Sequence, residues 1–358
     1  MMADIPKYMV LVKWIKNKIE TDELKYGEKL YSENELSSMF GISRQTVRQA
    51  INILVQEKYV ESRQGSGTYI TYNTTVKHEP NMVIGVVTTY VGAYIFPNII
   101  RGIETVLTQN NYSMQLAFTH NKVQNENRVL RSMLEKGVDG IIIEPTQSGL
   151  PNPNIGLYEE IQRQRIPVLF INSFYPNSKI PHVAMDDHAS GFLATDYLIK
   201  AGHKRIAGIF KSDDNQGHLR YAGYMEALLK AGAEIRDENV LWYSTEDISD
   251  LPTDSKRILR RLKDCTGLVC YNDEVALEMV DLLKLNQIHV PDDVSIVSID
   301  NSDLASLCEV PLTSVAHPMD LLGETAAKNL LNLISDHLFK ATVEFQPRVI
   351  ERESVRNL

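Results

Sequence analysis

Residues 40–51 read FGISRQTVRQAI, and the fold of the first part of the chain turns on them. Gly41 has the place of a residue that ends one helix, and Ser43 that of an N-cap opening the next. The opened helix is expected to run to about Lys58, with Val47, Ala50, Ile51, Leu54 and Val55 facing inward. Its other side begins with Ser43, Arg44, Gln45, Thr46, Arg48 and Gln49. Arginine can take both acceptors of a guanine, glutamine can pair with adenine, and serine or threonine can hold a phosphate. Yet the chain carries a formal net charge of −9, which is unusual for a protein that touches phosphate.

The residues on either side decide what this helix belongs to. Upstream, SENELSSMF starts with Ser32 and places Glu35 three residues on, the spacing of a capping box. Before it, PKYMVLVKWIKNKIE puts Met9, Val12, Ile15 and Ile19 on one helical stripe. Downstream, YVESRQGSGTYIT reads as two short strands around a turn at Gly65, Ser66 and Gly67. Helix, helix, turn, helix and wing together predict a winged helix-turn-helix over residues 1–71. Its DNA-binding candidates are Lys7, Asn34, Ser43, Arg44, Gln45, Thr46, Arg48, Gln64, Gly65, Ser66 and Gly67. Taken singly, Arg44 and Arg48 could be solvated helix charges and GSG a plain turn; the ordered combination favours a DNA surface. GSG is a poor nucleotide-cradling loop, because it lacks the G-x-G-x-x-G spacing and no helix follows it.

The stretch YSENELSSMFGISRQTVRQAINILVQEKYVESRQGSGTYI resembles the DNA-binding domain of the GntR family of bacterial transcription regulators. The resemblance covers residues 5–71 and implies operator binding by Arg44, Arg48 and the wing. One position departs from the family pattern. Asn34 stands where many members have an arginine, so a contact is missing or altered there.

Charge distribution removes the apparent conflict with an acidic chain. Residues 1–70 hold ten Lys and Arg against nine Asp and Glu, while the rest holds 27 against 37. The acidity belongs to the long second part. Cys265, Cys270 and Cys308 form no C-x-x-C pair, which argues against a disulfide frame or a zinc site. No apolar run approaches a membrane span, and the first twenty residues do not read as a secretory leader. A cytoplasmic, nucleoid-associated protein is expected.

Residues 72–81, YNTTVKHEPN, are polar and aperiodic and read as a linker. From residue 82 strands alternate with amphipathic helices. MVIGVVTT, YSMQLAFT, GIIIEP, PVLFINS, RIAGIF, GLVCYN and VSIVSID are strand candidates. Helices such as PNIIRGIETVLTQNN and DEVALEMVDLLKLNQ lie between most of them. That alternation predicts an α/β domain over 82–358, with parallel strands in two sheets.

Ligands of such folds bind beyond the carboxyl ends of the strands. The residues there are Tyr90 to Phe96, Glu144, Asn172 to Phe174, Lys211, Asp213, Asp214, Asn272, Asp273, Asp300 and Asn301, with Arg220 opening a helix. Planar acids, amides and cations beside aromatic rings suit a small ligand rich in hydroxyls. The mixed signs favour a neutral one. The effector-binding candidates are Tyr94, Phe96, Glu144, Asn172, Asp187, Lys211, Asp214, Arg220, Asn272 and Asp300. Helix capping is the competing explanation for Asp187, Asp214 and Asp273, and stands level with ligand binding for Asn272. Glu144, Lys211, Arg220 and Asp300 are least easily explained that way.

GHKRIAGIF, LRYAGYMEAL, LVCYNDEVAL, VPDDVSIVSIDNSDLA and LTSVAHPMDLLGETAAKNLL resemble the LacI/GalR effector domain, a relative of periplasmic sugar-binding proteins. This implies two Rossmann-like lobes joined by three crossovers, a ligand in the cleft and a homodimer. Glu144, Asn172, Arg220, Asn272 and Asp300 align with effector-contacting positions. Lobe 1 would be about 82–180 plus 311–338, and lobe 2 about 183–310 plus 340–358. A GntR-type head on a LacI-type body, with the stretches VVTTYVGAYIFPNIIRGIE, DGIIIEPTQS, NPNIGLY and GIFKSDDNQG, resembles the bacterial L-arabinose-responsive repressors, and that resemblance implies L-arabinose as effector. The residues alone reach only a small, polar, sugar-like ligand, and a purine or sugar phosphate stays open. With no nucleophile motif, P-loop or metal spacing, no enzyme, metal or cofactor is expected; a sugar-acting enzyme built on Glu144, Lys211 and Asp300 is the remote alternative.

Overall fold

The protein is described by a computed structural model covering residues 6–21, 23–57, 59–63, 65–71, 80–90, 92, 94–247 and 255–358. The chain divides into two compact units, Met1–Pro80 and Asn81–Leu358. Most of the expected linker, like Lys58 and Gln64, lies outside the described residues.

The first unit holds α1 (Lys7–Glu20), α2 (Glu33–Phe40), α3 (Arg44–Gln56), β1 (Val60–Arg63) and β2 (Gly67–Ile70). The local signals act as their chemistry demands. Ser32 Oγ accepts from the Glu35 amide, and the Glu35 carboxylate accepts from the Ser32 amide at 2.7 Å. Gly41 closes α2 at φ 60°, a left-handed conformation that costs glycine little. Ser43 caps α3 by accepting from the Thr46 amide. Strands β1 and β2 pair antiparallel from Val60 with Ile70 to Arg63 with Gly67. Val12, Ile15 and Ile19 are buried as expected, joined by Leu11, while Met9 is only half-buried. Val55 is exposed: α3 turns the stripe of Val47, Ala50, Ile51 and Leu54 inward, and Val55 falls beyond its edge.

The second unit contains two six-stranded sheets. The first is built from β3 (Val83–Thr88), β4 (Ser113–Phe118), β5 (Gly140–Ile143), β6 (Val168–Asn172), β7 (His182–Met185) and β13 (Val343–Phe345), in the order β13-β7-β6-β5-β3-β4. The second comprises β8 (Ile206–Lys211), β9 (Val240–Tyr243), β10 (Gly267–Cys270), β11 (Ser295–Asp300), β12 (Thr313–Ala316) and β14 (Arg348–Ile350), in the order β14-β12-β11-β10-β8-β9. Among the described residues of these two sheets, only β14 runs antiparallel to its neighbour. Helices α4 (Phe96–Gln109), α5 (Val123–Lys136), α6 (Ile155–Arg163) and α12 (Met319–Ser335) accompany the first sheet. Helices α7 (Asp187–Lys200), α8 (Asn215–Lys230), α9 (Ser255–Leu262), α10 (Asp273–Leu285) and α11 (Asp303–Leu307) accompany the second.

This topology corrects the expected lobe limits. Strand β7 extends the first sheet beside β6, and β12 extends the second beside β11. Strand β13 then returns to the first sheet beside β7. The chain therefore crosses after Met185, after Ala316 and after Phe345, each a few residues later than the limits near 180, 311 and 340. These strands are only three or four residues long, too short for periodicity to declare the sheet they join. Strand β9 escaped notice for the same reason.

Two glycines set the helix spacing in lobe 2. A Cβ on Gly191 of α7 would lie 1.9 Å from the Arg220 carbonyl oxygen, and one on Gly223 of α8 would lie 2.0 Å from that of His188. Only glycine permits this approach, which brings the start of α7 against the Arg220 side chain.

Candidate functional site

In the first unit the polar start of α3 is open to solvent. Arg44, Gln45, Arg48 and Gln49 are exposed, and Thr46 is half-buried because its hydroxyl meets the Ser43 hydroxyl at 2.9 Å. Arg48 donates Nε to both carboxylate oxygens of Glu33 on α2 at 2.9 Å. That bond orients the guanidinium and leaves its two terminal nitrogens for another acceptor. Asn34, also exposed, lies beside Glu33 at the start of α2. In the wing Gly65 and Gly67 adopt φ 73° and 120°, and Ser66 Oγ meets the Tyr69 hydroxyl at 2.7 Å. Arg63 stacks 4.8 Å over the Tyr69 ring. Lys7 opens α1 and is exposed, and no bond ties it to α3 among the described residues.

In the second unit the strand ends carry a buried polar network. On the lobe 2 side its centre is Arg220, 1% exposed. Its Nε donates to Asp187 at 2.8 Å, its Nη2 to Asp300 at 3.1 Å and its Nη1 to the Tyr271 carbonyl at 2.6 Å. The guanidinium also lies 4.7 Å over the Tyr271 ring. Burial works against this charge, but Asp187 and Asp300 outweigh it and raise its pKa. Burial also pushes Asp187 up to about 6, although Arg220 pulls the other way. Lys211 lies between Asp214, at 2.6 Å, and Asp213, at 3.9 Å. Burial works against its charge too, and the two carboxylates outweigh it.

On the lobe 1 side Glu144 is 6% exposed, and burial is the first cause of its raised pKa. Its Oε2 accepts from the Thr89 amide at 2.8 Å and the Thr89 hydroxyl at 2.6 Å. Its Oε1 accepts from Asn172 Nδ2 at 2.8 Å. Asn172 Oδ1 in turn faces His317 Nε2 at 2.9 Å. Burial drives the His317 pKa down to about 4, so its ring is neutral at pH 7. His317 Nδ1 and Asp213 Oδ1 are buried without a hydrogen-bond partner among the described residues.

The lobes bond to each other directly. The Tyr94 hydroxyl of lobe 1 donates to Asp300 at 2.6 Å and accepts from the Asp273 amide at 3.1 Å. Asn121 Nδ2 reaches Asp213 at 3.2 Å and Thr245 at 2.6 Å. Non-glycine residues at positive φ gather along this seam: Tyr94 (67°), Asn121 (53°), Asn172 (67°), Asp300 (104°) and Asn301 (49°). Such backbone strain costs stability and marks sites where side-chain direction matters more.

The expected residues sort unevenly. Tyr94, Glu144, Asn172, Asp187, Lys211, Asp214, Arg220 and Asp300 belong to this network. Asn272 is mainly a cap, its Oδ1 accepting from the Val275 amide of α10. The capping explanation fails for Asp187, because Asp186 caps α7. It fails for Asp214, whose carboxylate takes Lys211 and the Tyr271 hydroxyl. It fails for Asp273 too, which binds Ser298, Ser302 and Ser314 and braces the start of α10. Phe96 departs from expectation in its setting: its ring is buried in the apolar core of lobe 1. Sequence reasoning missed Thr89, Asn121, Tyr271 and His317. His317 had one available signal, a position just after β12, but that strand itself went unread.

Among the described residues no group of His, Cys, Asp and Glu could hold a metal ion, and no helix is long and apolar enough to cross a membrane. Residues 7–70 match the bacterial regulatory proteins of the gntR family, and residues 195–355 match the periplasmic binding protein-like domain. An arabinose metabolism transcriptional repressor of Geobacillus stearothermophilus is 38% identical, over 99% of both chains. One from Halalkalibacterium halodurans is 37% identical, over 97% of this chain and 96% of the other. Among solved structures, the transcription regulator CcpA of Lactococcus lactis matches with TM-score 0.69 and 28% identity, over 76% of this chain and 99% of that one.

Proposed function

This chain belongs to the family of arabinose metabolism transcriptional repressors, and on that premise we propose that it represses arabinose-utilisation genes and leaves its operator when L-arabinose enters the interlobe cleft. The observation that carries this reading is full-length similarity to those repressors in a chain whose cleft carries mixed, buried donors and acceptors. It acts as a regulator, not as an enzyme, in the cytoplasm at the nucleoid.

DNA recognition falls to the first unit. Arg44, Gln45 and Arg48 read bases or phosphates from the recognition helix, Ser43 and Thr46 hold phosphate, and the Gly65–Gly67 wing approaches the backbone closely. Two heads of a homodimer would read a pseudo-palindromic operator.

The cleft suits a sugar because each hydroxyl both donates and accepts. His317 Nδ1 is a buried acceptor without a hydrogen-bond partner among the described residues, and one hydroxyl of a small ligand would satisfy it. Tyr94 and Asp300 come from opposite lobes and bond directly at 2.6 Å, so a ligand that touches both lobes binds this closed arrangement better than an open one. Only that difference in affinity can move the equilibrium, and sugar and operator must then weaken each other's binding by the same factor.

The test selects operator sequences from random duplexes with purified protein, then titrates each complex with L-arabinose, D-xylose, D-ribose, hypoxanthine and a pentose phosphate. Release by L-arabinose is expected. Release by hypoxanthine or the phosphate instead overturns the effector, and failure to select any sequence overturns the DNA reading.

A further inference from the structure

We propose that Glu144 is a positioning residue: through Asn172 it fixes the His317 proton on Nε2 and presents the bare Nδ1 as acceptor to one sugar hydroxyl. The inference rests on the reading of the cleft as a sugar site, and it follows from what each atom can donate.

The Thr89 amide can only donate, so Glu144 Oε2 must accept from it. The other oxygen, Oε1, faces the Asn172 side chain at 2.8 Å, and a carboxylate there demands the amide nitrogen. The orientation of Asn172 is thereby set, with its oxygen turned to His317. An amide oxygen only accepts, so His317 Nε2, 2.9 Å away, must carry the proton. A neutral imidazole has one N–H, and Nδ1 is therefore a lone pair. That atom is buried and without a partner among the described residues, a state that a ligand O–H relieves. Glu144 has both oxygens engaged by protein donors and exposes 6% of its surface, which suits action through Asn172 better than direct contact.

The relay makes a sharp statement about Glu144→Gln. The Gln oxygen must take the place opposite the Thr89 amide, which leaves its NH2 facing Asn172. Asn172 must then turn its oxygen to Gln and its NH2 to His317. Nε2 becomes an acceptor, and the proton moves to Nδ1. The same sugar hydroxyl then meets a donor instead of an acceptor.

Full-length protein labelled with 15N-histidine, assigned with His317→Gln and read by long-range 1H–15N correlation, tests this. Wild type should show the Nε2–H tautomer, with Nδ1 shifting towards hydrogen-bonded values on adding L-arabinose. Glu144→Gln should show Nδ1–H and bind the sugar roughly tenfold or more weakly by calorimetry. An Nδ1–H tautomer in wild type overturns the relay without any variant, so the result does not hang on the variant folding. An unswitched tautomer in folded Glu144→Gln overturns it as well. Sugar binding with an unmoved Nδ1 removes the hydroxyl contact. No heat of binding in wild type overturns the sugar reading instead, while the tautomer still decides the relay.

Discussion

Tyr94 of lobe 1 donates its hydroxyl to Asp300 of lobe 2 across 2.6 Å, and Asp300 simultaneously receives Arg220. One carboxylate thus joins the interlobe contact to the buried charge cluster. Tyr94→Phe removes the cross-lobe bond and leaves the Arg220 pair in place. Hydrogen bonds to a charged group contribute about 1.5–3 kcal/mol. L-arabinose affinity should fall by roughly ten- to a hundredfold, and the sugar concentration that half-releases operator should rise in proportion. Calorimetry beside an operator titration reads both; unchanged values would mean that the bond does not favour the closed arrangement.

Arg220→Met should damage folding before it damages signalling. The substitution strands Asp187 and Asp300 in a buried site, and breaking such a pair from one side costs about 3–5 kcal/mol. Denaturant unfolding of the second unit should show a loss of that size, with operator contacts by the head intact where the body stays folded. A loss under about 1 kcal/mol would show that the two carboxylates are readily neutralised or hydrated.

Gly223→Ala places a methyl against the His188 carbonyl, where a Cβ would lie 2.0 Å away. Helices α7 and α8 must separate, and Asp187 moves from Arg220. Destabilisation of about 1–3 kcal/mol and weaker sugar binding are expected together. Normal sugar affinity in a destabilised variant would show that the helix spacing does not set the cluster.

The acid response of the body should contain a His317 component. Its pKa is depressed to about 4 in the folded protein, so the folded state resists a proton that the unfolded chain accepts below about 6.5. Stability from this group is full above pH 6.5 and is lost as pH falls towards 4. Asp187 and Asp273, raised to about 6, act with opposite sign over the same range. Comparing wild type with His317→Gln cancels them. The stability difference should move by about 2 kcal/mol between pH 7 and pH 5, with wild type losing more on acidification. Parallel curves would mean that His317 titrates normally.

At the head, Arg44→Ala should lower operator affinity at least tenfold and leave sugar binding unchanged; loss of both would signal misfolding. Glu33→Gln frees Arg48 from its partner and removes one negative charge near the helix start. Binding to scrambled duplex should then strengthen and become steeper in salt. A fall in that binding would show that Glu33 orients Arg48 more than it neutralises it.

The head was legible because its code is local. A cap and its reciprocal acid lie three residues apart, as Ser32 and Glu35 do, and apolar positions recur every three or four residues. No distant residue is needed to form those turns. The alternation of strand and helix likewise gave the two-sheet α/β body and sent attention to its strand ends. How the side chains at those ends pair was set by tertiary structure alone. Tyr94 and Phe96 are two residues apart, yet the backbone at positive φ turns Tyr94 to the opposite lobe while Phe96 enters the core. Asn172 and His317 are 145 residues apart in sequence and meet only because both sheets end at one seam. Arg220 is neutralised by Asp187 because two glycines let α7 and α8 nearly touch. Propensity and capping depend on near neighbours and can be read along a chain. Which donor faces which buried acceptor depends on packing, and only the folded lobes decide it.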